Sequence, residues 1–278
     1  MEFHKYQALG NDYIVIDPTQ LSAALTPEQI IRICHPHLGV GSDGILMGPY
    51  KSENSDFGLR LFNPDGSEFE KSGNGLRIFS RYLFDRSLVQ TEEFNIDTPG
   101  GIVRALVHPG GHTVSVEMGQ VSFDSTKIPV TGPVREVLNE TISVAGQDYR
   151  YCAATIGNPH CIVLPDQVTA KLARNIGPAI ETAARFPNRT NVQFMEIIDS
   201  NNIRIEIWER GVGYTLASGS SSCAAAAVAH RLGYCDQQIM VHCAGGDIEI
   251  RIDPDFSITM TGAVNKICEG ELAPEMFT

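Results

Sequence analysis

The sequence predicts an α/β protein of the α+β type, built as two pseudo-symmetric domains. Each is expected to be a small, mostly antiparallel sheet wrapped around a central helix. Three observations carry this reading. The first is a pair of helix starts, Ser72-Gly73-Asn74-Gly75 and Ser218-Gly219-Ser220-Ser221, 146 residues apart. In each, a serine of the kind that caps helices stands just ahead of a helical pattern. The second is a set of echoes in the same order near one offset. Leu9-Gly10-Asn11-Asp12 returns as Ile156-Gly157-Asn158-Pro159, Thr98-Pro99-Gly100-Gly101 as Cys243-Ala244-Gly245-Gly246, and Val116-Glu117-Met118-Gly119 as Thr259-Met260-Thr261-Gly262. Echoes in constant order argue for a duplicated unit. The third is the run Ala224 to Ala227, small and apolar on every side, which suits a helix enclosed by a sheet better than one lying on a surface.

Taken in order, residues 1–17 read as a strand, a Gly-Asn-Asp turn and a second strand, Tyr13 to Asp17. Leu21 to Cys34 reads as a helix, with Thr26-Pro27-Glu28 as cap and first turn. Gly39-Val-Gly-Ser-Asp-Gly44 is a turn leading into a short strand, Ile45 to Met47. Leu59 to Phe62 is a strand closed by the turn Asn63-Pro64-Asp65-Gly66. The first Ser-Gly helix is expected over Gly73 to Leu83, followed by strands at Phe94 to Ile96, Ile102 to Val107 and Thr113 to Met118. Gly119 to Thr141, with Pro129 and Pro133, reads as the linker. The second half repeats the plan, with strands at Ile142 to Tyr149, Tyr151 to Ile156 and His160 to Val163, then a helix over Val168 to Phe186. Strands at Asn191 to Ile197 and Ile203 to Trp208 lead to the Ser218 helix. Strands at Ile239 to His242, Ile248 to Ile252 and Ile258 to Thr261 close the domain. The expected domains are therefore 1–120 with the tail 263–278, and 121–262.

The bulk numbers restrict the function. At 278 residues, 42% hydrophobic and 19% charged, the chain has room for two cores and the composition of a soluble globular protein. A net charge of −12 argues against nucleic acid or an anionic membrane as the main partner. It leaves room for a small anion, because a helix N-terminus dominates the field in a closed pocket. No apolar run reaches membrane-spanning length and the first residues lack a signal-peptide pattern. Seven scattered cysteines suit a reducing cytoplasm. No Cys-x-x-Cys pair is present, so no metal site is expected. Gly39-x-Gly41-x-x-Gly44 matches a dinucleotide pattern, but it follows a helix and precedes a strand, the wrong context for that use. No cofactor is expected.

Six short motifs in order support a resemblance along essentially the whole chain: Gly39 to Gly44, Phe62-Asn63-Pro-Asp-Gly-Ser67, Ser72-Gly-Asn-Gly75, Gly157-Asn158-Pro-His160, Thr190-Asn191-Val192 and Trp208-Glu209-Arg210-Gly211. The chain resembles the diaminopimelate epimerase family of cofactor-independent epimerases, whose two domains place the active site in the cleft between them. The resemblance implies an isomerase of lysine biosynthesis acting on an amino acid, diaminopimelate or a related substrate; the oligomeric state stays open, with a homodimer one of the assemblies. It also implies that Asn63, Asn158, Asn191, Glu209 and Arg210 hold the non-reacting end of the substrate, with Asn11 another pocket residue. Gly73, Asn74, Gly219 and Ser220, at the two helix starts, are expected around the substrate α-carboxylate. A guanidinium for a carboxylate and acceptors for an ammonium are what a zwitterionic head requires. Each asparagine also has a plainer reading as a turn former.

The chain departs from the family at the centre of the chemistry. In the family the residues ahead of the two glycines are cysteines, one taking the α-proton and the other returning one. Here they are Ser72 and Ser218. A thiol near pKa 8.5 is tuned into the working range by a helix N-terminus, whereas a hydroxyl is a far weaker acid and needs a base beside it. Tyr214 also replaces a usual glutamate, and Leu76-Arg77-Ile78 after the first motif and Ser221-Ser222 after the second differ from the usual family text. Three readings stay open: an epimerase or proton-shift isomerase working through its serines, a double Cys→Ser variant, and a binding protein on the same scaffold. Cys223 reads as a small buried hydrophobe and His160 as a structural neighbour of Asn158.

Overall fold

The structure is a computed structural model describing residues 1–277; Thr278, the last residue of the tail assigned to 263–278, lies outside the described residues. In chain order the first elements are β1 (Glu2–Ala8), β2 (Asn11–Ile16), α1 (Pro27–Cys34), β3 (Ile45–Tyr50), β4 (Phe57–Phe62) and β5 (Glu68–Phe69). They are followed by α2 (Gly73–Asp85), β6 (Glu93–Thr98), β7 (Gly101–Val107) and β8 (Thr113–Gln120). Next come β9 (Glu140–Val144), β10 (Gln147–Thr155), β11 (Pro159–Val163), α3 (Ala170–Glu181), β12 (Asn191–Asp199), β13 (Asn202–Glu209) and β14 (Gly213–Thr215). The chain closes with α4 (Gly219–Arg231), β15 (Gln238–Cys243), β16 (Gly246–Ile252), β17 (Ser257–Ala263) and β18 (Asn265–Glu271). Two compact units result, one of Met1–Glu117 with the chain from Thr261 onward, the other of Met118–Met260.

The internal topology of the two units is the same, element by element. In the first, β1 and β2 form an antiparallel pair, α1 crosses over to β3 parallel to β2, and β4 is antiparallel to β3. The short β5 pairs with β4, α2 crosses to β6 parallel to β4, and β7 turns back on β6. In the second, β10, β11, α3, β12, β13, β14, α4, β15 and β16 make the same sequence of antiparallel and parallel pairs. Parallel neighbours need a crossover, and each of the four helices is one. The echoed loops also make the same bond, since Gly100 N–H donates to Glu70 O at 3.1 Å and Gly245 N–H to Leu216 O at 2.7 Å. In addition, β18 pairs antiparallel with β1.

The second helix of each unit lies inside its sheet. Helix α4 packs against β10, β11, β12, β13, β15 and β16, and Ala224 to Ala229 are fully buried. Alanine suits this position because close approach of six strands leaves no volume for larger side chains. Helix α2 is larger in side chain, burying Leu76, Ile78, Phe79, Tyr82 and Leu83 against β1, β2, β3 and β7.

Four elements differ from the sequence expectation, and the first is the strand expected over Ile142 to Tyr149, which is a hairpin: β9 ends at Val144, the chain turns at Ala145-Gly146, and β10 starts at Gln147, both turn residues having positive φ. The helix expected from Leu21 begins only at Pro27, because Thr26 is an extended N-cap closed by a reciprocal pair of bonds with Gln29 (3.3 and 2.9 Å). The helix expected over Val168 to Phe186 spans only Ala170–Glu181, capped by Thr169. Pro187 biases Phe186 away from helical backbone, and Phe186 turns into the core instead. The stretch read as a linker is packed structure: Ile128, Val130 and Val137 belong to the buried core of the second unit. Among the described residues no helix is long and apolar enough to cross a membrane.

Candidate active site

Ser72 is the N-cap of α2 in extended conformation, and its hydroxyl accepts the Gly75 N–H at 3.0 Å. The next positions feed a polar ladder. Asn74 is buried, its Oδ1 accepting from Arg77 Nη2 one helical turn on, and its Nδ2 donating to Asn11 Oδ1 at 3.2 Å. Asn11 Nδ2 in turn donates to Asp43 Oδ2 at 2.8 Å, which also accepts the Asp12 N–H at 3.0 Å. Asn11 and Asn74, both expected site residues, are therefore in contact. Arg77 and Asp43, which hold the two ends of this ladder, were not anticipated. The i, i+3 spacing of Asn74 and Arg77 on one helix face is the signal that points to the first. Arg77 is fully buried, and Gly262 gives it room: a Cβ there would lie 1.9 Å from Nη1. Asn63 is elsewhere occupied, its Nδ2 donating to Ser67 Oγ at 3.0 Å across the Asn63–Ser67 turn, which matches the turn-former reading.

The second unit presents the corresponding helix start with a different hydroxyl arrangement. Ser218 caps α4 by backbone conformation alone, with no side-chain cap bond. The Glu209 carboxylate, at the end of β13, accepts from Thr215 Oγ1 at 3.2 Å. Burial raises the Glu209 carboxyl above its ordinary value, against the opposing effect of the Ser218 and Thr215 hydroxyls. In the first turn of α4, Ser220 Oγ accepts from Asn158 Nδ2 at 3.4 Å and Ser221 Oγ from Gln193 Nε2 at 2.9 Å. Asn158 Oδ1 meets His160 Nε2 at 2.9 Å, so that nitrogen carries the proton. Burial takes His160 down to about 3, which keeps it neutral.

Asn191 is spent within the protein. Its Oδ1 accepts the Arg210 N–H at 3.0 Å and its Nδ2 donates to Pro159 O at 2.9 Å, so it positions the Arg210 backbone. The Arg210 guanidinium reaches Asn188 O at 3.0 Å and is exposed, while Glu209 accepts from Thr215 instead of pairing with it. Trp208, just before this pair, is fixed by Nε1 donating to Glu181 Oε2 at 2.7 Å. Tyr214, in place of the usual glutamate, donates to Glu206 Oε2 at 2.6 Å and lies under the Arg174 guanidinium, 3.8 Å from the ring centroid.

The two helix starts share an electrostatic character. Gly73 and Gly219, their first residues, are buried, and neither first turn contains an acidic residue. Each is therefore suited to an anionic group. His108 and His112, four residues apart as in some metal pairs, turn to separate partners, Ser115 Oγ at 2.7 Å and Arg81 Nη1 at 3.3 Å. Among the described residues no group of three or more His, Cys, Asp or Glu is arranged to hold a metal.

Comparison with known proteins bears on this geometry. The profile of the family described as diaminopimelate epimerase matches residues 3–123 and 152–267. The chain is 59% identical over 277 residues to a protein of Nostoc sp. (strain PCC 7120) named diaminopimelate epimerase 2, covering 100% of this chain and 97% of that one. It is 36% identical over 276 residues to the diaminopimelate epimerase of Moorella thermoacetica, covering 98% and 99%. Among solved structures it is similar to a hydroxyproline epimerase from Agrobacterium vitis, with TM-score 0.70 and 15% identity over 100% of this chain and 92% of that one. It is also similar to a methylitaconate-delta-isomerase, with TM-score 0.64 and 14% identity over 98% and 95%. At such identities the structural likeness speaks for the fold alone.

Proposed function

The chain belongs to the diaminopimelate epimerase family, an isomerase family, and from that premise we propose that it epimerises the α-carbon of diaminopimelate, LL to meso, without a cofactor. The observation that supports this best is the pair of helix starts at Ser72 and Ser218, each a Ser-Gly turn with its glycine buried and no acidic residue in the first helical turn. Removing an α-proton leaves a carbanion whose charge spreads into the carboxylate. Backbone N–H groups and helix dipoles aimed at that carboxylate stabilise the charge where it develops.

The residues take the following roles in this reading. Ser72 and Ser218 occupy the two proton-carrier positions, with Gly73, Asn74, Gly219 and Ser220 around the α-carboxylate. Asn11 and Asn158 supply amide groups whose orientation is held by Asn74 and by His160. Arg210, its backbone held by Asn191 and its guanidinium by Asn188, meets the distal carboxylate. Asn63 contributes from its turn at the distal end.

A second reading, a binding protein on this scaffold, is favoured by one observation: the Ser72 hydroxyl is committed as the cap of α2. One experiment separates the two. The protein is incubated in D2O with a panel of amino acids including LL- and meso-diaminopimelate, and α-proton exchange is followed by NMR. Exchange of diaminopimelate alone is the expected result. Binding of an amino acid with no exchange would establish the scaffold reading.

A further inference from the structure

We propose that Arg77 is a positioning residue of the pocket: through Asn74 it fixes which way the Asn11 amide points, and Gly262 is a glycine to make room for it. The proposal rests on the epimerase reading above and deepens it, because Asn11 and Asn74 are amides which that reading sets around the substrate. The two ends of an asparagine amide are alike in shape and opposite in hydrogen bonding, so only partners of a single kind tell them apart. A guanidinium is such a partner, because it can only donate. Arg77 Nη2 therefore meets Asn74 Oδ1, which leaves Asn74 Nδ2 to donate to Asn11 Oδ1 at 3.2 Å. At the other end stands Asp43, whose carboxylate takes Asn11 Nδ2 at 2.8 Å and the Asp12 N–H at 3.0 Å. With a pure donor at one end and a pure acceptor at the other, both amides have one orientation. Each amide nitrogen carries a second N–H, which the ladder does not use, for a substrate oxygen.

Arg77 lies on the inner side of α2 and is fully buried. A guanidinium withdrawn from water is costly unless its donors are used. Besides the bond to Asn74, its Nη1 reaches Ala263 O at 3.5 Å. Beside it runs Gly262 of β17, where a Cβ would lie 1.9 Å from Nη1 and 2.9 Å from Cζ. In a close-packed interior the guanidinium would have to leave Asn74 to make way. The Gly262 backbone does not itself require glycine, since its φ is not positive. Gly119, its counterpart in the echoed sequence, has φ +100° and nothing within 4 Å of a Cβ. One glycine serves space and the other serves the backbone. Arg77 has no counterpart on the second helix: Cys223 stands 146 residues on, and the buried residues of α4 include no charged group. The buried cation is therefore a property of the α2 side, where it adds to the positive end of the helix.

The test uses the full-length protein, with calorimetry against LL- and meso-diaminopimelate, α-proton exchange in D2O and urea unfolding. Arg77→Met keeps much of the side-chain volume without the donors, and should weaken binding about tenfold. Gly262→Ala should weaken it to a similar degree by pushing the guanidinium off Asn74. The two together should be no worse than Arg77→Met alone, in Kd and in unfolding, because the added methyl then has no guanidinium to strike. Asp43→Ala, at the exposed end of the ladder, should also raise Kd, by about threefold or more. Kd is the deciding readout: mere loss of folded protein lowers the number of binding sites and leaves the affinity of the rest unchanged.

Additive losses for Arg77→Met and Gly262→Ala, or parental Kd in both Arg77→Met and Asp43→Ala, would overturn the positioning role and leave the epimerase reading standing. A parent that binds diaminopimelate but exchanges no α-proton would overturn the epimerase reading, and the same Kd comparison would still decide the ladder. A parent that binds no diaminopimelate would overturn both. If circular dichroism shows Arg77→Met unfolded, Asp43→Ala and Gly262→Ala decide: positioning requires both to lose affinity, and parental Kd in either refutes it.

Discussion

The two serines at the helix starts differ in their bonding: the Ser72 hydroxyl caps its helix, and the Ser218 hydroxyl makes no such bond. If both merely replaced thiols, proton transfer would be slow, since a hydroxyl lacks an anionic form near neutral pH. Restoring both thiols, Ser72→Cys with Ser218→Cys, should therefore raise diaminopimelate epimerisation at least a hundredfold, about 2.7 kcal/mol off the barrier. A coupled or direct stereochemical assay checks this, and an unchanged rate would show that the hydroxyls already suffice. Arg210 should matter chiefly for affinity. Its guanidinium is exposed with one backbone partner, so losing a charge-assisted contact to substrate should cost about 1.5–3 kcal/mol, roughly ten- to hundredfold in Kd. Calorimetry with Arg210→Ala reads it directly. Near-normal binding would remove Arg210 from the site.

At the scale of elements, helix α3 and strand β13 decide where the Glu209-Arg210 pair stands. Gly177 lies against Trp208: a Cβ there would come within 2.6 Å of the indole Cγ. Gly→Ala inside a helix normally gains about 1 kcal/mol. Here the clash reverses the sign, because overpacking a tight contact costs about 1–3 kcal/mol. Gly177→Ala should thus destabilise by denaturant unfolding. It should also shift the emission of Trp208, the sole tryptophan of the sequence. The boundaries of α1 and α3 show how far elements were legible. Their caps, Thr26 and Thr169, are readable as residue types ahead of apolar spacing, but the expected helices ran past them. Thr26-Pro27-Glu28 was legible as cap and first turn and is so in the structure, while the apolar residues ahead of it, from Leu21, fit the same period by chance.

For the molecule as a whole, pH is the most accessible probe. His160 is fully buried at about 3, against 6.5 when exposed. Its neutral form is the one the fold accepts. Above 6.5 both folded and unfolded chains hold it neutral, and the folded state carries no penalty. Between 6.5 and about 3 the unfolded chain binds a proton that the folded chain refuses, so stability falls as pH falls through that window. At 1.36 kcal/mol per unit the loss is on the order of several kcal/mol. Urea titrations from pH 7 to 4 should show it, and His160→Gln should flatten the slope. A slope unchanged by that substitution would place the acid sensitivity elsewhere.

The sequence by itself determined the duplicated plan, the two Ser-Gly helix starts, the enclosed alanine helix and the family. All of these are local patterns, or local patterns repeated, and need only residue order to be read. Tertiary structure decided which polar groups meet. That Asn74 is held between Arg77 and Asn11, that Asn191 spends its amide on backbone, and that Ser72 caps its own helix while Ser218 makes no cap bond follow from how the chain is folded. The same two residues, Ser and Gly, begin both helices. A hydroxyl takes whichever partner the fold brings within hydrogen-bonding distance, and the backbone path on either side of the Ser-Gly pair decides that, not the pair itself.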